Sequence, residues 1–416
     1  MIIATLIFLP ILTGVLSTYL YRRAVPRSVW ILSFGAFAVR VGYVLFDRVF
    51  GVYAGGGDQA GYDTTFWFVA QQWRSGVLFA PLQYGLSPGN TGDYMLLYSS
   101  VFSPAYAVFG HIVTLPRLQM ALVGTLVVVN VYCIGRVLAS HRVGFAAGAI
   151  AAVFPYWIVL SGIIYRDMFV VFLFSMMAYY FVRWQSGEQT TKLLALLFLF
   201  TGLALSMRLQ NLIAVGAMFA VAAFLIVGTN IRGYVLTVVT SLVAAAAMYS
   251  RFGSELVLDE LAGRRRWLAR PNPGAYLPGF AYESLYEFIV FAPIGALHFA
   301  LVPFPWHVVD FMSQIAFLQN LFIWYPVIVL SVIGFSDCLS TPSGRKIVLP
   351  LMAFSLAGIF GYGIVEGNVG PANRHRAQFQ FVFFVLAGVA LSKRVRISAF
   401  SEDASQTETS LGTDHT

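Results

Sequence analysis

The chain has 416 residues, of which 59% are hydrophobic and only 11% charged, and its mean hydropathy is +0.77. A soluble domain of that composition would expose a very large apolar surface, so these values exclude a soluble protein. The formal net charge of +8 comes from short basic clusters between apolar runs, which excludes the continuous basic face of a nucleic-acid-binding protein. We therefore predict a multi-pass integral membrane protein.

Apolar runs long enough to cross a bilayer recur along the whole chain. With about 17 to 25 residues needed for one crossing, the sequence predicts an all-α polytopic membrane protein with about eleven transmembrane helices. These lie near residues 2–20, 28–50, 117–138, 143–160, 168–184, 192–207, 210–228, 232–250, 313–336, 347–365 and 377–392. Two further apolar stretches, 92–113 and 284–304, are expected either to span the membrane or to lie as juxtamembrane helices at one surface.

Basic residues set the orientation, because short loops rich in Arg and Lys stay in the cytoplasm. If the two ambiguous stretches are juxtamembrane, one side receives all of the following: Arg22, Arg23, Arg27, Arg142, Arg183, Lys192, Arg232, Arg345, Lys346, Lys393, Arg394 and Arg396. We thus predict an outer N-terminus and one transmembrane domain over residues 1–396. It has a first outer loop at 51–116 and a second large outer loop at 251–312. The polar tail, 397–416, is expected to be disordered and cytoplasmic.

The same orientation places five polar segments on the outer side, where several Arg residues break the positive-inside rule. The segments are "GGGDQAGYD" (55–63), "SGIIYRD" (161–167), "SMRLQN" (206–211), "LAGRRRWLARPNPG" (261–274) and "EGNVGPANRHR" (366–376). Charges at a membrane are costly and usually face a cavity or a partner. Arginine binds phosphate bidentately, and a carboxylate can accept a proton from a hydroxyl. Together these residue types predict transfer of a group from a phosphate-linked donor.

The first polar segment directly follows a membrane-length apolar run. Its glycines at 55 to 57 allow a sharp turn and let a ligand approach Asp58 closely. The following "YDTTFWFVAQQWRSG" predicts an amphipathic helix in the membrane interface. The loop is therefore expected to hold the Asp58 carboxylate at the membrane surface, although Asp58 is also a favourable helix N-cap.

In their order, these motifs resemble the membrane glycosyltransferases of the GT-C type, which include the protein O-mannosyltransferases and the aminoarabinose transferase of lipid A. The first outer loop of that family opens with an Asp in a "GD…Y…A…G" context. The matching residues here are Gly57, Asp58, Tyr62, Ala70 and Gly76, and later matches are "YMLLYSSVFSPAYAVFG" (94–110), Arg117, "FPYWIVLSGIIYRD" with Pro155, and "GNVGPANRHR", which is similar to a segment of prokaryotic members. The resemblance covers most of residues 28 to 392.

The resemblance implies a polyprenyl-phosphate sugar as donor and an extracytoplasmic glycan, lipid or protein as acceptor, in a prokaryotic cytoplasmic (inner) membrane. An inverting, single-displacement reaction needs a general base on the acceptor hydroxyl and cations on the departing phosphate. We predict Asp58 as the base. The predicted substrate-binding residues are Arg374, Arg376, Arg208, Asp167, Arg166, Asp63, Tyr62, His375 and Asn368.

Several of these residues have a second interpretation. Arg166 with Asp167 equally fits a structural ion pair at a helix end, Arg208 fits a snorkelling side chain, and His375 fits an ordinary interface residue. The "RRRWLAR" run at 264–270 favours binding of anionic lipid headgroups over binding of the donor. No tight cluster of acids and His predicts a metal site, so no metal or cofactor is expected, with a divalent cation at the carboxylates as the alternative.

Two other classes of membrane protein also fit the composition. A glycan polymerase or ligase would share Arg-rich outer loops but use a diphosphate-linked donor. A lipid or glycan transporter would be expected to show inverted repeats and broken helices at the bilayer midplane, and neither is visible in the sequence. A structural anchor would not need several charged residues in outer loops. Membrane lipid and the sugar donor are therefore the predicted partners, and nucleic acid is excluded.

Overall fold

The computed structural model describes residues 2–51, 57–79, 94–227, 254–270, 274–280, 282–308 and 311–394. This described part is helical, and its β-structure is confined to an isolated bridge between Ala275 and Asn368. The predicted all-α class of polytopic membrane protein is confirmed. The predicted span 232–250 and the tail 397–416 lie outside the described residues.

The helices are numbered in chain order. In the N-terminal half they are α1 (Ile2–Arg22), α2 (Arg27–Phe50), α3 (Gly57–Arg74), α4 (Tyr94–Phe109), α5 (Thr114–Leu138), α6 (His141–Val153), α7 (Pro155–Leu160), α8 (Arg166–Gln185), α9 (Thr191–Met207) and α10 (Leu212–Val227). Those that follow are α11 (Ser254–Leu268), α12 (Leu285–Leu301), α13 (Phe311–Gln319), α14 (Tyr325–Leu339), α15 (Pro342–Val365) and α16 (Val369–Arg394). A π-helical turn, Asn320–Trp324, joins α13 to α14.

Seven helical segments in the described residues are long and apolar enough to cross a membrane: Ile2–Arg22, Arg27–Phe50, Thr114–Leu138, Arg166–Gln185, Leu209–Ile226, Ser313–Leu339 and Pro342–Val365. The predicted span 143–160 is instead broken at Phe154, where the backbone is extended before Pro155. A residue before proline is pushed out of the α conformation, which explains the break. The predicted span 192–207 is the 17-residue helix α9, and 377–392 lies within the 26-residue helix α16.

The two stretches with an ambiguous prediction each form a single short helix. They are α4, of 16 residues, and α12, of 17 residues, close to the lower limit of about 17 residues for one crossing. Helix α4 packs against the amphipathic helix α3, where Phe66 stacks on Phe102 with ring centroids 5.6 Å apart. Arg74 also donates a 2.8 Å hydrogen bond to the carbonyl of Ala107. The connection between α2 and α5 therefore contains a packed pair of helices.

Buried arginines fix the turn that leads into α8. Arg117 on α5 forms a 2.6 Å ion pair with Asp47 on α2 and donates a 2.5 Å hydrogen bond to the carbonyl of Gly162. Arg40, fully buried on α2, donates to Ser161 Oγ at 3.2 Å. Charge-assisted hydrogen bonds of this kind are stronger than neutral ones. They hold residues 161 and 162 in place, immediately before the first residues of the candidate site.

Candidate functional site

A cavity of about 440 Å³ opens at one end of the helical bundle. It lies between the start of α8, the α9–α10 junction, α11, the end of α15 and the start of α16. Its lining includes four arginines, Arg166, Arg208, Arg264 and Arg374, and one carboxylate, that of Glu366. We call it the arginine cavity. Its formal excess of positive charge suits an anionic ligand.

Breaks between helices bring these residues to the cavity. Helix α9 ends at Met207, and Arg208 has an extended backbone (φ −153°, ψ 87°) before a 3₁₀ turn begins. Next to Glu366 in the chain, Gly367 packs against the residue that follows α11, and a Cβ atom at position 367 would lie 2.8 Å from the Cα of Ala269. Glycine is therefore required for this close approach. Four of the five polar segments predicted to lie on one side contribute to this cavity.

Arg208 is held by a buried ion pair with Asp167. Its Nη2 contacts the Oδ1 atom of Asp167, and both side chains are buried. Burial lowers the pKa of the Arg208 guanidinium, but Asp167 and the hydroxyls of Tyr362 and Tyr62 raise it, so the pKa lies above its ordinary value. The guanidinium is thus a fixed positive charge. Its Nε atom is buried and has no hydrogen-bond partner among the described residues.

Arg374 and Arg166 lie on the same wall. The Arg374 guanidinium carbon is 4.8 Å from the ring centroid of Tyr165, a cation–π geometry. Arg166 donates from Nη1 to the carbonyl of Met207 at 3.2 Å. Both side chains are half-buried and line the arginine cavity. Three arginines that the sequence predicted as phosphate or substrate ligands are thus adjacent.

A histidine–carboxylate pair lies in the same cavity. His375 Nδ1 is 2.5 Å from Glu366 Oε1, and the His375 ring lies 4.9 Å from that of Tyr362. Glu366 is buried, and its second oxygen, Oε2, has no hydrogen-bond partner in the described part of the chain. A buried oxygen of this kind can accept a proton or a hydrogen bond from a ligand. Glu366 was not predicted from the sequence.

Arg376, which we predicted as a second phosphate ligand, does not line the arginine cavity. It is 1% exposed and donates to the carbonyls of Ala300 (2.7 Å) and Val302 (2.9 Å) and to the side-chain oxygens of Asn320 (3.1 Å) and Asn373 (2.5 Å). Its guanidinium therefore ties α16 to the end of α12. This role is structural.

Helices α3 and α4 approach the site through the backbone of Ile164. Its N–H donates to Gln59 Oε1 at 3.4 Å, and its carbonyl accepts a 2.9 Å hydrogen bond from Tyr98. Tyr62 packs edge-on against Tyr98 and is near enough to Arg208 to interact with it electrostatically. The first turns of α3 therefore lie beside the arginine cavity.

Asp58 is the second residue of α3, and its side chain lies outside what the structure describes. Residues four apart in a helix share a face, so the backbone of Asp58 lies one turn before Tyr62 on the same face. Tyr62 packs against Tyr98, which bonds to the carbonyl of Ile164, so that face of α3 adjoins the turn before Arg166. The catalytic role of Asp58 stays a prediction.

Asp63 and Asn368, which we predicted as substrate ligands, do not line the arginine cavity. Asp63 accepts hydrogen bonds from the Tyr106 hydroxyl and, at 2.8 Å, from His111 Nε2, and so joins α3 to α4. Asn368 Oδ1 accepts a 3.0 Å bond from the N–H of Gly370 in the first turn of α16. Both side chains stabilise local structure next to the site.

We did not predict Arg264, Trp267 or Glu366 as site residues, although all three line the arginine cavity. The first two lie in the "RRRWLAR" run, which we interpreted as a lipid-headgroup surface. Within that run Arg265 is fully buried and donates to the carbonyl of Tyr276 at 3.2 Å, so adjacent arginines have different roles. The i, i+3 spacing of Arg264 and Trp267 on one helix face was the available signal.

The described residues contain no group of three or more His, Cys, Asp or Glu side chains that could hold a metal ion. The lining of the arginine cavity contains four guanidinium groups and a single carboxylate. A divalent cation prefers several oxygen ligands, so this donor set suits a phosphate better than Mg²⁺ or Ca²⁺.

Part of the chain matches a known protein family. No curated protein matches the chain. Residues 97–251 match the model of the dolichyl-phosphate-mannose-protein mannosyltransferase family. The matched segment includes Arg166, Asp167 and Arg208, and it supports a membrane glycosyltransferase of the GT-C type. The resemblance predicted from the sequence is therefore confirmed, and over this segment the chain is similar to the dolichyl-phosphate-mannose-protein mannosyltransferases.

Proposed function

We propose that the protein is an inverting glycosyltransferase that transfers a sugar from a polyprenyl-phosphate donor to a hydroxyl of an extracytoplasmic glycan, lipid or protein. The observation that carries this proposal is the arginine cavity. It combines four guanidinium groups with a position at the ends of membrane-length helices. A lipid-linked phosphate needs both features, because its charge must be bound at the surface while its chain stays in the bilayer.

The size of the cavity fits this donor. About 440 Å³ lies within the range of ligand pockets, roughly 300 to 1,000 Å³, and is enough for a phosphate with one sugar. Trp267, which is 61% exposed, lines the rim together with Leu261 and Ile213. An exposed indole at a membrane surface suits contact with a sugar face or with the first isoprene unit.

In this mechanism the arginines stabilise the leaving group. As the bond between the anomeric carbon and the phosphate oxygen breaks, negative charge builds up on the phosphate. Fixed cations that are already in place stabilise that charge without reorganisation. Arg208, oriented by Asp167, and Arg374, stacked on Tyr165, meet this requirement. The departing polyprenyl phosphate stays bound to the same groups until it leaves.

A carboxylate must accept the proton of the acceptor hydroxyl as that oxygen attacks the anomeric carbon. Asp58 remains our first choice, because it shares a face of α3 with Tyr62. Glu366 is the second choice, because its free oxygen is buried in the cavity beside His375. No second carboxylate need become a nucleophile, so the anomeric configuration inverts.

The test is the release of polyprenyl phosphate by the purified protein from a panel of polyprenyl-phosphate sugars. Asp58→Asn and Glu366→Gln each remove one candidate base with little change in shape. Asp63→Asn is the matched control, since Asp63 lies on the same helix but outside the cavity. We expect wild type and Asp63→Asn to turn over one donor and Asp58→Asn to lose at least about 100-fold in kcat.

The outcomes separate the competing functions. Loss of activity in Glu366→Gln with full activity in Asp58→Asn would move the base to Glu366. Consumption of diphosphate-linked glycans alone would identify a glycan polymerase or ligase. If the protein consumed neither donor but moved lipid-linked sugar across proteoliposomes, it would be a transporter, and the proposal would be wrong.

We further propose that the protein resides in the cytoplasmic membrane with the arginine cavity on the extracytoplasmic side. This assignment rests on the positive-inside rule applied to the basic loops. It agrees with the distribution in the structure, where Arg183 and Lys192 flank the connection at the other end of α8 and α9.

A further inference from the structure

A second cationic cavity, of about 620 Å³, lies between α1, α8 and α9 at the bundle end opposite the arginine cavity. The distance between the two cavities follows from one residue of each, Arg166 and Arg183, which lie 17 positions apart on α8. At 1.5 Å per residue they are separated by about 26 Å along the helix axis, close to the thickness of the hydrocarbon core. The second cavity therefore faces the other membrane surface.

Its lining carries four cations, Arg22, Arg23, Arg183 and Lys192, and one carboxylate, that of Glu188. Glu188 is engaged by Arg183, whose Nε lies 2.5 Å from Glu188 Oε2. A formal excess of three positive charges remains in the second cavity. An anionic ligand would complement this charge.

Arg23 is the most buried of these four cations. It donates to the Tyr19 hydroxyl at 2.9 Å and to Met176 Sδ at 3.3 Å, and its guanidinium carbon is 3.9 Å from the ring centroid of Tyr179. Among the described residues no carboxylate contacts it. Aromatic rings thus fix the guanidinium in place but leave its full charge uncompensated.

A shallow, largely open apolar groove, lined by residues of α1 alone, continues from the second cavity. It has a volume of about 490 Å³, shares Tyr19 and Arg22 with the cavity, and is further lined by Ile11, Gly14, Val15 and Thr18. The absence of a side chain at Gly14 contributes to the groove, since a Cβ there would meet nothing within 4 Å. From Ile11 to Arg22 the helix rises about 16 Å, close to the half-thickness of the hydrocarbon core, roughly 15 Å.

We propose that the second cavity and its groove bind one anionic phospholipid from the leaflet opposite the arginine cavity. The phosphate lies among Arg22, Arg23 and Lys192, and one acyl chain follows the groove along α1. Charge selects an anionic headgroup over a zwitterionic one, and the groove selects a lipid over a soluble phosphate. The proposal does not depend on the reaction catalysed at the other membrane surface.

The test is native mass spectrometry of the full-length protein in neutral detergent, with added phosphatidylglycerol, phosphatidylcholine or glycerol 3-phosphate. We expect one phosphatidylglycerol to be retained in preference to the other two. The double variant Arg22→Gln/Lys192→Gln should bind it about 30-fold more weakly, from about 1 kcal/mol for each basic residue near a lipid surface. Both side chains are exposed, so this variant should fold.

One matched pair of variants and one charge control complete the test. Gly14→Leu fills the groove without changing the charge and should reduce phosphatidylglycerol retention, whereas Gly35→Leu, at an equally open position on α2, should not. Lys346→Gln removes an exposed cation outside the cavity and should also leave retention unchanged. Unchanged retention in the double variant or in Gly14→Leu would overturn the proposal. Equal retention of phosphatidylcholine, or effective competition by glycerol 3-phosphate, would do the same.

Discussion

Two arginines on α16, Arg374 and Arg376, cannot be told apart in the sequence. Replacing each by Gln should nevertheless have a different effect, on activity in one case and on stability in the other. Arg374 lines the arginine cavity and stacks on Tyr165. Arg376 is buried behind it and bonds only to protein oxygens in the described structure. We expect Arg374→Gln to lose activity and keep stability, and Arg376→Gln to lose stability.

The magnitudes follow from the contacts. Arg376→Gln leaves up to four buried acceptors without their donor, and each costs about 1 to 3 kcal/mol, so the loss in unfolding free energy should be about 4 kcal/mol or more. Arg374→Gln removes one charge-assisted contact to the donor phosphate, worth about 1.5 to 3 kcal/mol. That corresponds to roughly a 10- to 150-fold decrease in kcat/KM.

The assay combines thermal unfolding in detergent with the release of polyprenyl phosphate. Lys346→Gln serves as control for the loss of one positive charge at a membrane surface, and Arg374→Lys tests whether charge alone suffices. Retention of activity in Arg374→Gln would refute its contact with the donor. A stable but inactive Arg376→Gln would refute its structural role and return it to the binding site.

Three further predictions concern packing, orientation and metal dependence. Gly334→Ala should destabilise the protein by about 1 to 3 kcal/mol in thermal unfolding, because the added Cβ would lie 1.9 Å from the carbonyl oxygen of Leu386. Gly361→Ala, with open space around it, should be neutral or stabilising. A membrane-impermeant maleimide should label Trp267→Cys from outside the cell and Ser343→Cys only after permeabilisation. Both native cysteines are buried, so background labelling should be low. The reverse pattern would invert the orientation. Turnover should survive EDTA, and its loss with recovery on adding Mg²⁺ would show a bound cation that the arginine cavity does not predict.

Much of the fold was predictable because membrane helices are specified by length and hydropathy. The spans beginning at residues 2, 28, 117 and 168 each correspond to a helix in the structure. The break at Phe154 was not predicted, because hydropathy does not register the backbone restriction before proline. The choice between spanning and juxtamembrane helices for α4 and α12 depended on a few residues of length, which sequence windows do not resolve.

The candidate site was predictable as a set of segments but less so as a set of side chains. The positive-inside rule placed the segments containing Arg166, Arg208 and Arg374 on one side, and the structure brings these residues to one cavity. Sequence could not tell which side chains line it, because that depends on packing across helices far apart in the chain. Glu366 is an example, since no sequence motif marks it as a site residue and only the folded structure shows its contact with His375.

The arginines predicted to lie on the outer side depart from the positive-inside rule for two different physical reasons. Arg265 and Arg376 are buried and satisfy backbone carbonyls near helix ends and turns, a need that exists whether or not a ligand binds. Arg264 and Arg374 line a cavity with an excess of cationic side chains, which suits an anionic ligand. An unexpected arginine at a membrane surface is therefore not by itself a sign of catalysis. The partner of each guanidinium decides its role, which is why replacing Arg374 and Arg376 should give different phenotypes although they lie two residues apart.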